Sequence, residues 1–400
     1  MRIDLRRIFV TVSLVALPVS YLLLYGRMLS DPVQATGADF IAFYAAGRIA
    51  RQEGPARVYD VRLQQKYEEQ VLGFEIAAED TNPFPHPPFV IPLVQAAAGE
   101  RYIPSFLAWT GMMTVLLILA ARALLESTGG QFAPPERRLL LAGVVLFFPA
   151  FVSLINGQNS ALLLLGGGLW LWGWFSGRDW LAGLGLAVMA VRPHLALPLA
   201  LPFIFRRGGI FLWFGVGCGA LALFSLAYVG RDGIEGFVRM LFLSGSGQAY
   251  HINENRMINF LGLLLRLFPQ ASASCLRLIA WIAYGAAALG LCFWWRRCPT
   301  LGWREAGTAV LLALFTAPHL HFHDLTLLLV PLTGLCVLLA AKWPAAAVLP
   351  LAASFALLFG YFSPLLQYSI PYLLMVFLLL GLWFPDKIGR SNQSLAEADP

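Results

Sequence analysis

"IFVTVSLVALPVSYLLLYGRMLSDPVQATGADFIAFYAAGRIARQ", residues 8–52, decides how the chain must be read. Its first half, residues 8–29, is an apolar run of the roughly 20-residue length that crosses a hydrocarbon core of about 30 Å. The run is long for a signal-peptide core, and "GRMLSDP" rather than a small-residue cleavage site follows it, so it reads as a retained helix. Directly behind it stands a carboxylate, Asp39, followed by two arginines and a row of aromatics. An ionisable group this close to lipid is costly, which makes Asp39 a functional candidate by default. Its plainer role is to cap the helix that "FIAFYAAGRIA" should form, and a cap position would also hold the carboxylate rigidly.

Composition extends that reading to the whole chain. Of 400 residues, 58% are hydrophobic and only 12% charged, with mean hydropathy +0.69. A soluble domain carries about 25% charged residues. The apolar residues fall in continuous runs, without the two-residue alternation of a barrel strand, so the fold class is an all-α polytopic membrane protein. The net charge of +6 does not indicate nucleic acid. Arg2, Arg6 and Arg7 precede the first run, and pairs recur at Arg137-Arg138, Arg206-Arg207 and Arg296-Arg297, with Lys342, Lys387 and Arg390 beyond. Cations at alternate connections orient a chain with that side inward. The five cysteines form no CxxC pair, lie mostly in apolar runs and read as reduced and structural.

Residues 30–86 are the longest polar stretch, and helical periodicity is expected over 39–52 and 61–72, with Asp60 capping the second. Residues 87–99 are apolar but short for a crossing; treating them as re-entrant or interfacial places every later basic pair on the inner side. Further spans are expected at 103–124, 139–155, 160–175, 180–192, 194–206, 210–229, 271–295, 305–318, 325–341, 344–362 and 366–384. That makes about twelve crossings with both termini inside. Residues 1–388 read as one integral membrane domain and 389–400 as a disordered cytoplasmic tail. No repeat suggests two transporter halves.

The unusual polar residues gather on the outer side. "HLHFHD" carries His319, His321 and His323 before Asp324. Three histidines invite a zinc reading. Residues two apart on a helix point about 200° apart, so only an extended segment could align them. Contact with a phosphate or a sugar hydroxyl is the reading adopted, with no metal assigned. "VRPH" places Arg192 and His194 at a tight hairpin tip; the guanidinium either forks onto phosphate oxygens or snorkels to lipid headgroups. "NGQNS" offers the amides of Gln158 and Asn159 to hydroxyl groups, or forms a plain polar turn. "YHINENRMINF" adds His251, Asn255 and Arg256 with the same two readings. Walker A, dinucleotide and nucleophile-elbow motifs are all missing, and "LLGGGLWLWG" reads as close helix packing.

In order, "GADFIAFYAAGRIARQEGPARVYD", "HPPFVIPLV", "NGQNSALLLL" and "LAGLGLAVMAVRPHLALPLAL" resemble glycosyltransferase family 87. These are the DUF2029-type membrane proteins of the GT-C superfamily, which includes polyprenyl-phosphate-mannose-dependent mannosyltransferases. The resemblance covers roughly residues 30–330. It implies a GT-C-like bundle and an inverting transfer of a hexose, mannose first, from a polyprenyl-phosphate donor to a lipid or glycan acceptor at the outer face of a plasma (inner) membrane. It implies that Asp39 is the base, that Arg192 is the basic residue before proline (where lysine is common), and that 318–324 is the histidine region. His86 stands where the family usually has an aromatic. No cofactor, nucleic acid or protein partner is expected, only the two substrates and membrane lipids. A lipid transporter would instead spread polar residues through the membrane depth, and an envelope scaffold would leave acid and cations far apart.

Overall fold

The first apolar run folds as one helix, Leu5–Ser30, carrying Pro18 within it. The computed structural model describes residues 5–36, 39–245 and 254–385, and all regular structure among them is helical. Six helices are long and apolar enough to cross a membrane: Leu5–Ser30, Tyr102–Glu126, Pro134–Ile155, Gly208–Ser244, Ala273–Arg297 and Phe322–Leu339. Five shorter apolar helices of 10–17 residues accompany them, including Ser160–Phe175, Asp179–Val191 and Ser369–Trp383. The chain is an all-α polytopic membrane protein. The tail 389–400 and His251 lie outside the described residues.

Most expected spans coincide with a helix, and two are interrupted: 139–155 parts at Leu146-Phe147 into Pro134–Val145 and Phe148–Ile155. The stretch 194–206 is broken into Pro193–Ala200 and Phe203–Arg206. Pro202, which has no N–H to donate, stands at the break. The segment 87–99 forms only a 3-10 turn, Pro88–Val90, and the two-turn helix Ile91–Ala97. Eight to ten helical residues rise about 12–15 Å, half of a hydrocarbon core.

The polar stretch 30–86 forms the expected helices, Phe40–Gln52 and Val61–Leu72. Asp60 caps the second, accepting from the backbone N–H groups of Arg62 and Leu63. The first lies almost wholly buried. Its two arginines are fasteners: Arg48 donates to the Gly99 carbonyl at 2.9 Å and Arg51 to the Gln95 carbonyl at 2.7 Å. Buried Gln64 donates to the Val58 carbonyl and accepts from the Phe84 N–H, which latches the proline-rich segment 82–88 to this layer. Residues 40–88 thus form one layer, held together by its own hydrogen bonds and fastened to the segment 95–99.

Beneath it, Ser160–Phe175 packs against Asp179–Val188 through glycines: a Cβ on Gly173 or Gly185 would collide with the partner helix backbone. Glycine here permits the close backbone approach that van der Waals packing in lipid requires. Trp170, Trp174, Phe203 and Trp295 then close the far end as an aromatic cluster with ring centroids 5.1–6.4 Å apart.

Candidate active site

One cavity of about 760 Å³ opens between this layer and the bundle, and Asp39, Gln158, Arg192, Arg256, His319, His321 and His323 all line it. The lining comes from eight separated pieces of chain, so the site is assembled by the tertiary fold.

Asp39 precedes Phe40–Gln52, yet its carboxylate does not cap that helix. The physical reason is in its backbone. At φ −57° and ψ −19° it is already helical, whereas a capping residue needs extended geometry to bend its side chain back onto the first N–H groups. The carboxylate is left free to face the cavity, where Oδ2 accepts from Gln158 Nε2 at 2.8 Å.

Gln158 reaches that position because the turn Asn156–Asn159 is pressed against the start of the same helix. Gly157 adopts φ 69°, and a Cβ there would collide with the Cβ of buried Phe40. Only glycine satisfies both the left-handed backbone and the close approach. Its carbonyl accepts from Trp109 Nε1 at 2.8 Å, which fixes the turn to the neighbouring helix.

The amide of Gln158 also works in the other direction. Its Oε1 accepts from Arg192 Nη2 at 3.2 Å. Arg192 sits between the 3-10 turn Met189–Val191 and Pro193–Ala200, in a non-helical conformation forced by the following proline. Its Nε meets Asp324 Oδ1 at 3.3 Å, and its Nη2 lies 3.3 Å from His323 Nε2. Asp324 is fully buried and Arg192 only 9% exposed. Burying a cation is tolerable only with such a partner; breaking a buried pair costs about 3–5 kcal/mol. The result is a continuous chain of polar contacts, Asp39–Gln158–Arg192–Asp324.

The histidines follow on an irregular segment. Asp324 Oδ2 accepts from the His321 backbone N–H at 3.2 Å, so the carboxylate that holds Arg192 also shapes the histidine turn. The rings of His319 and His321 stand 4.7 Å apart, and those of His321 and His323 5.9 Å. Burial, aided by neighbouring rings, holds His319 well below its ordinary value and His321 down at about 4. Both are neutral hydrogen-bonding groups at pH 7. No group of three potential metal ligands exists among the described residues.

Arg256 supplies a second cation from the turn Glu254–Arg256. That turn is anchored twice: Arg277 grips Glu254 at 2.8–3.2 Å, and Arg266 donates to the carbonyls of Asn255 and Met257. The Ile258 N–H donates to the Leu320 carbonyl at 3.1 Å, joining this turn to the histidine segment.

Three sequence-read residues, Asn159, His194 and Asn255, stand outside the lining. Asn159 is buried behind it, with Nδ2 3.4 Å from His86 Nδ1. His194 is also absent from the lining, and its carbonyl accepts from Tyr284. His86 itself faces the cavity, packed between Phe43 and Phe84 with centroids 4.7 and 5.0 Å away. Burial first, then Arg192, pushes its pKa well below the ordinary value. It occupies the aromatic slot as a neutral ring. Asp324 as the partner of Arg192 was not foreseeable, because 132 residues separate the two. Tyr361, Gln367 and Tyr368 also line the cavity and carry no local pattern that marks them.

The sequence model of glycosyltransferase family 87 matches residues 84–318. The chain belongs to glycosyltransferase family 87. No curated protein matches it beyond that. Membership of family 87 makes the protein a multi-pass membrane glycosyltransferase, acting on a sugar donor and an acceptor in contact with membrane lipids. Gln158, Arg192 and Arg256 fall inside the matched segment; Asp39 and the three histidines fall outside it and join it only in space.

Proposed function

We propose that this family 87 enzyme transfers a hexose, mannose first, from a polyprenyl-phosphate donor to a lipid or glycan acceptor, with inversion and with Asp39 as general base. The observation that carries the reading is the chain of contacts from the Asp39 carboxylate through Gln158 to Arg192, across one cavity. A single-displacement transfer needs a proton acceptor on one side of the anomeric carbon and charge stabilisation on the other.

In the proposed reaction the acceptor hydroxyl attacks the anomeric carbon while Asp39 takes its proton. The bond from that carbon to the phosphate oxygen breaks, and the polyprenyl phosphate leaves with the bonding electrons. Arg192 and Arg256 stabilise the negative charge that gathers on the leaving oxygen. With Nε on Asp324 and Nη2 on Gln158, the Arg192 guanidinium keeps its Nη1 N–H groups for phosphate. Neutral His319 and His321, together with His323, serve as hydrogen-bonding groups to phosphate or sugar. Gln158 keeps the base oriented, so part of the rate comes from positioning. The leaving group is already a phosphate, and the protein's own cations suffice for it.

The same reading treats residues 1–388 as one catalytic membrane domain of the inner (plasma) membrane, both termini cytoplasmic, and the cavity at the outer face. The test is a radiolabel assay in membranes supplied with polyprenyl-phosphate mannose or glucose, comparing the wild type with Asp39→Asn. Transfer by the wild type alone is expected. Equal transfer by both removes Asp39 as the base, and no transfer from any prenyl donor removes the donor assignment.

A further inference from the structure

At the opposite end of the bundle from the cavity lies a second, chemically different recess. The helix Tyr102–Glu126 starts beside Phe40, its Phe106 ring 5.3 Å from the Phe40 ring. It then runs about 37 Å away from the cavity at 1.5 Å per residue. Its last turns, the turn Gly129–Gly130 and the first turns of Pro134–Val145 enclose a groove of about 780 Å³ against Ser160–Phe175. Leu119, Leu165, Leu169 and Trp172 make its walls apolar, and Phe132 is buried in it.

Three arginines, Arg122, Arg137 and Arg138, line the same groove, with one carboxylate, Glu126, among them. Glu126 is taken by Arg137. Glu136, the nearest other acid in sequence, turns away to cap its own helix at the Ala133 N–H. Arg122 and Arg138 are exposed and have no hydrogen-bonding or ionic partner among the described residues. Two uncompensated guanidinium groups therefore stand at the rim of an apolar cleft between membrane helices. Guanidinium forks match phosphate oxygens, and basic pockets between such helices suit anionic lipid headgroups.

We infer that this groove holds one molecule of an anionic phospholipid, its phosphate between Arg122 and Arg138 and the upper part of an acyl chain along Leu119, Leu165 and Leu169. Charge complementarity selects the occupant: a zwitterionic lipid brings a cation that the two arginines repel, and a free phosphate leaves the apolar walls wet. Trp172 suits the depth at which headgroup and chain meet. The site is separate from the transferase cavity and stands whether or not the donor is a prenyl lipid.

The test is native mass spectrometry of the full chain in mild detergent, equilibrated with an equal mixture of phosphatidylglycerol and phosphatidylcholine of matched chains. Retention of a single phosphatidylglycerol in preference to phosphatidylcholine is expected. Each cation near an anionic lipid is worth about fivefold, so the double variant Arg122→Gln/Arg138→Gln should lose roughly 25-fold in retention. Neither arginine has a partner to lose, so the fold is unaffected. Leu169→Trp, which fills the cleft and keeps the charges, should also lower retention, while Arg296→Gln/Arg297→Gln should leave it unchanged. Equal retention of the two lipids, an equal loss in the Arg296/Arg297 variant, or no loss from Leu169→Trp overturns the site in favour of general surface attraction. Preferential capture of added polyprenyl phosphate overturns it in favour of a substrate groove.

Discussion

The helix Ser160–Phe175 ends in two contrasting environments. At its start, Asn156–Ser160 is a polar turn with Gln158, Asn159 and Ser160 all buried; Gln158 joins a carboxylate to a guanidinium, while Asn159 Oδ1 and Ser160 Oγ have no hydrogen-bond partner among the described residues. At its end, Trp170 and Trp174 join Phe203 and Trp295 in an apolar cluster, and glycines let the neighbouring helix touch backbone to backbone. The first environment is expensive: each buried polar group needs a partner, and one lost partner leaves another stranded. The second is held by close packing alone. In a protein with few polar residues to place, the costly arrangement marks where chemistry happens.

If that division is right, substitutions at the two ends fail in different ways. The largest effect should come from the packed end. Gly185→Leu places a side chain into the backbone of Trp170, and the expected outcome is loss of folded protein, read as the recovered monomer peak after solubilisation. Next comes Asp39→Asn, expected to cut turnover by about 10²–10⁴-fold, as removal of a general base does, with the melting temperature unchanged. A comparable fall in melting temperature would erase the distinction between the two ends. Arg192→Lys keeps the charge but not the fork, and turnover should fall on the order of 10²-fold. Gln158→Ala should cost less, about tenfold in kcat with KM little changed, because it loosens the base rather than removing it.

The smallest expected effect sharpens the rule that buried polar groups must be satisfied. Burial pushes the Glu68 carboxyl up to about 8, and its Oε1 is buried without a partner among the described residues. A carboxyl raised in the folded state binds its proton more tightly there than when unfolded. Its contribution is therefore present near pH 4.5 and lost as pH rises toward 8. Glu68→Gln, which still accepts from the Asn82 N–H, should raise the melting temperature by a few degrees at pH 8 and give no gain near pH 5. His321 runs the other way. Its depressed value makes the fold less stable as pH falls from about 6.5 toward 4, and His321→Gln should flatten that limb.

Much of this layout was legible in the sequence because hydropathy and helix periodicity are local signals. The helices over 40–52 and 61–72 and the Asp60 cap needed only neighbouring residues to specify them. Asp39 was legible as an ionisable group at membrane depth, but not its failure to cap, which depends on a backbone already turned helical. The histidine run suggested metal or phosphate and gave no hint that Asp324 below it serves an arginine 132 residues earlier. Pairs of that kind leave no periodicity. The interrupted span over 194–206 was hidden for another reason: its prolines sit within a sequence apolar enough to mimic one continuous helix.

The pairing of Arg192 with Asp324 also bears on how the protein is made. A ribosome delivers the arginine well before the aspartate, and for that interval the growing chain carries a cation whose proper counterion has not been synthesised. Until residue 324 is threaded into place, water or lipid phosphate must stand in, and the cavity has no finished wall. A nascent chain halted short of that point should therefore insert its early helices yet stay open and inactive, so that the enzyme switches on only when its last fifth arrives.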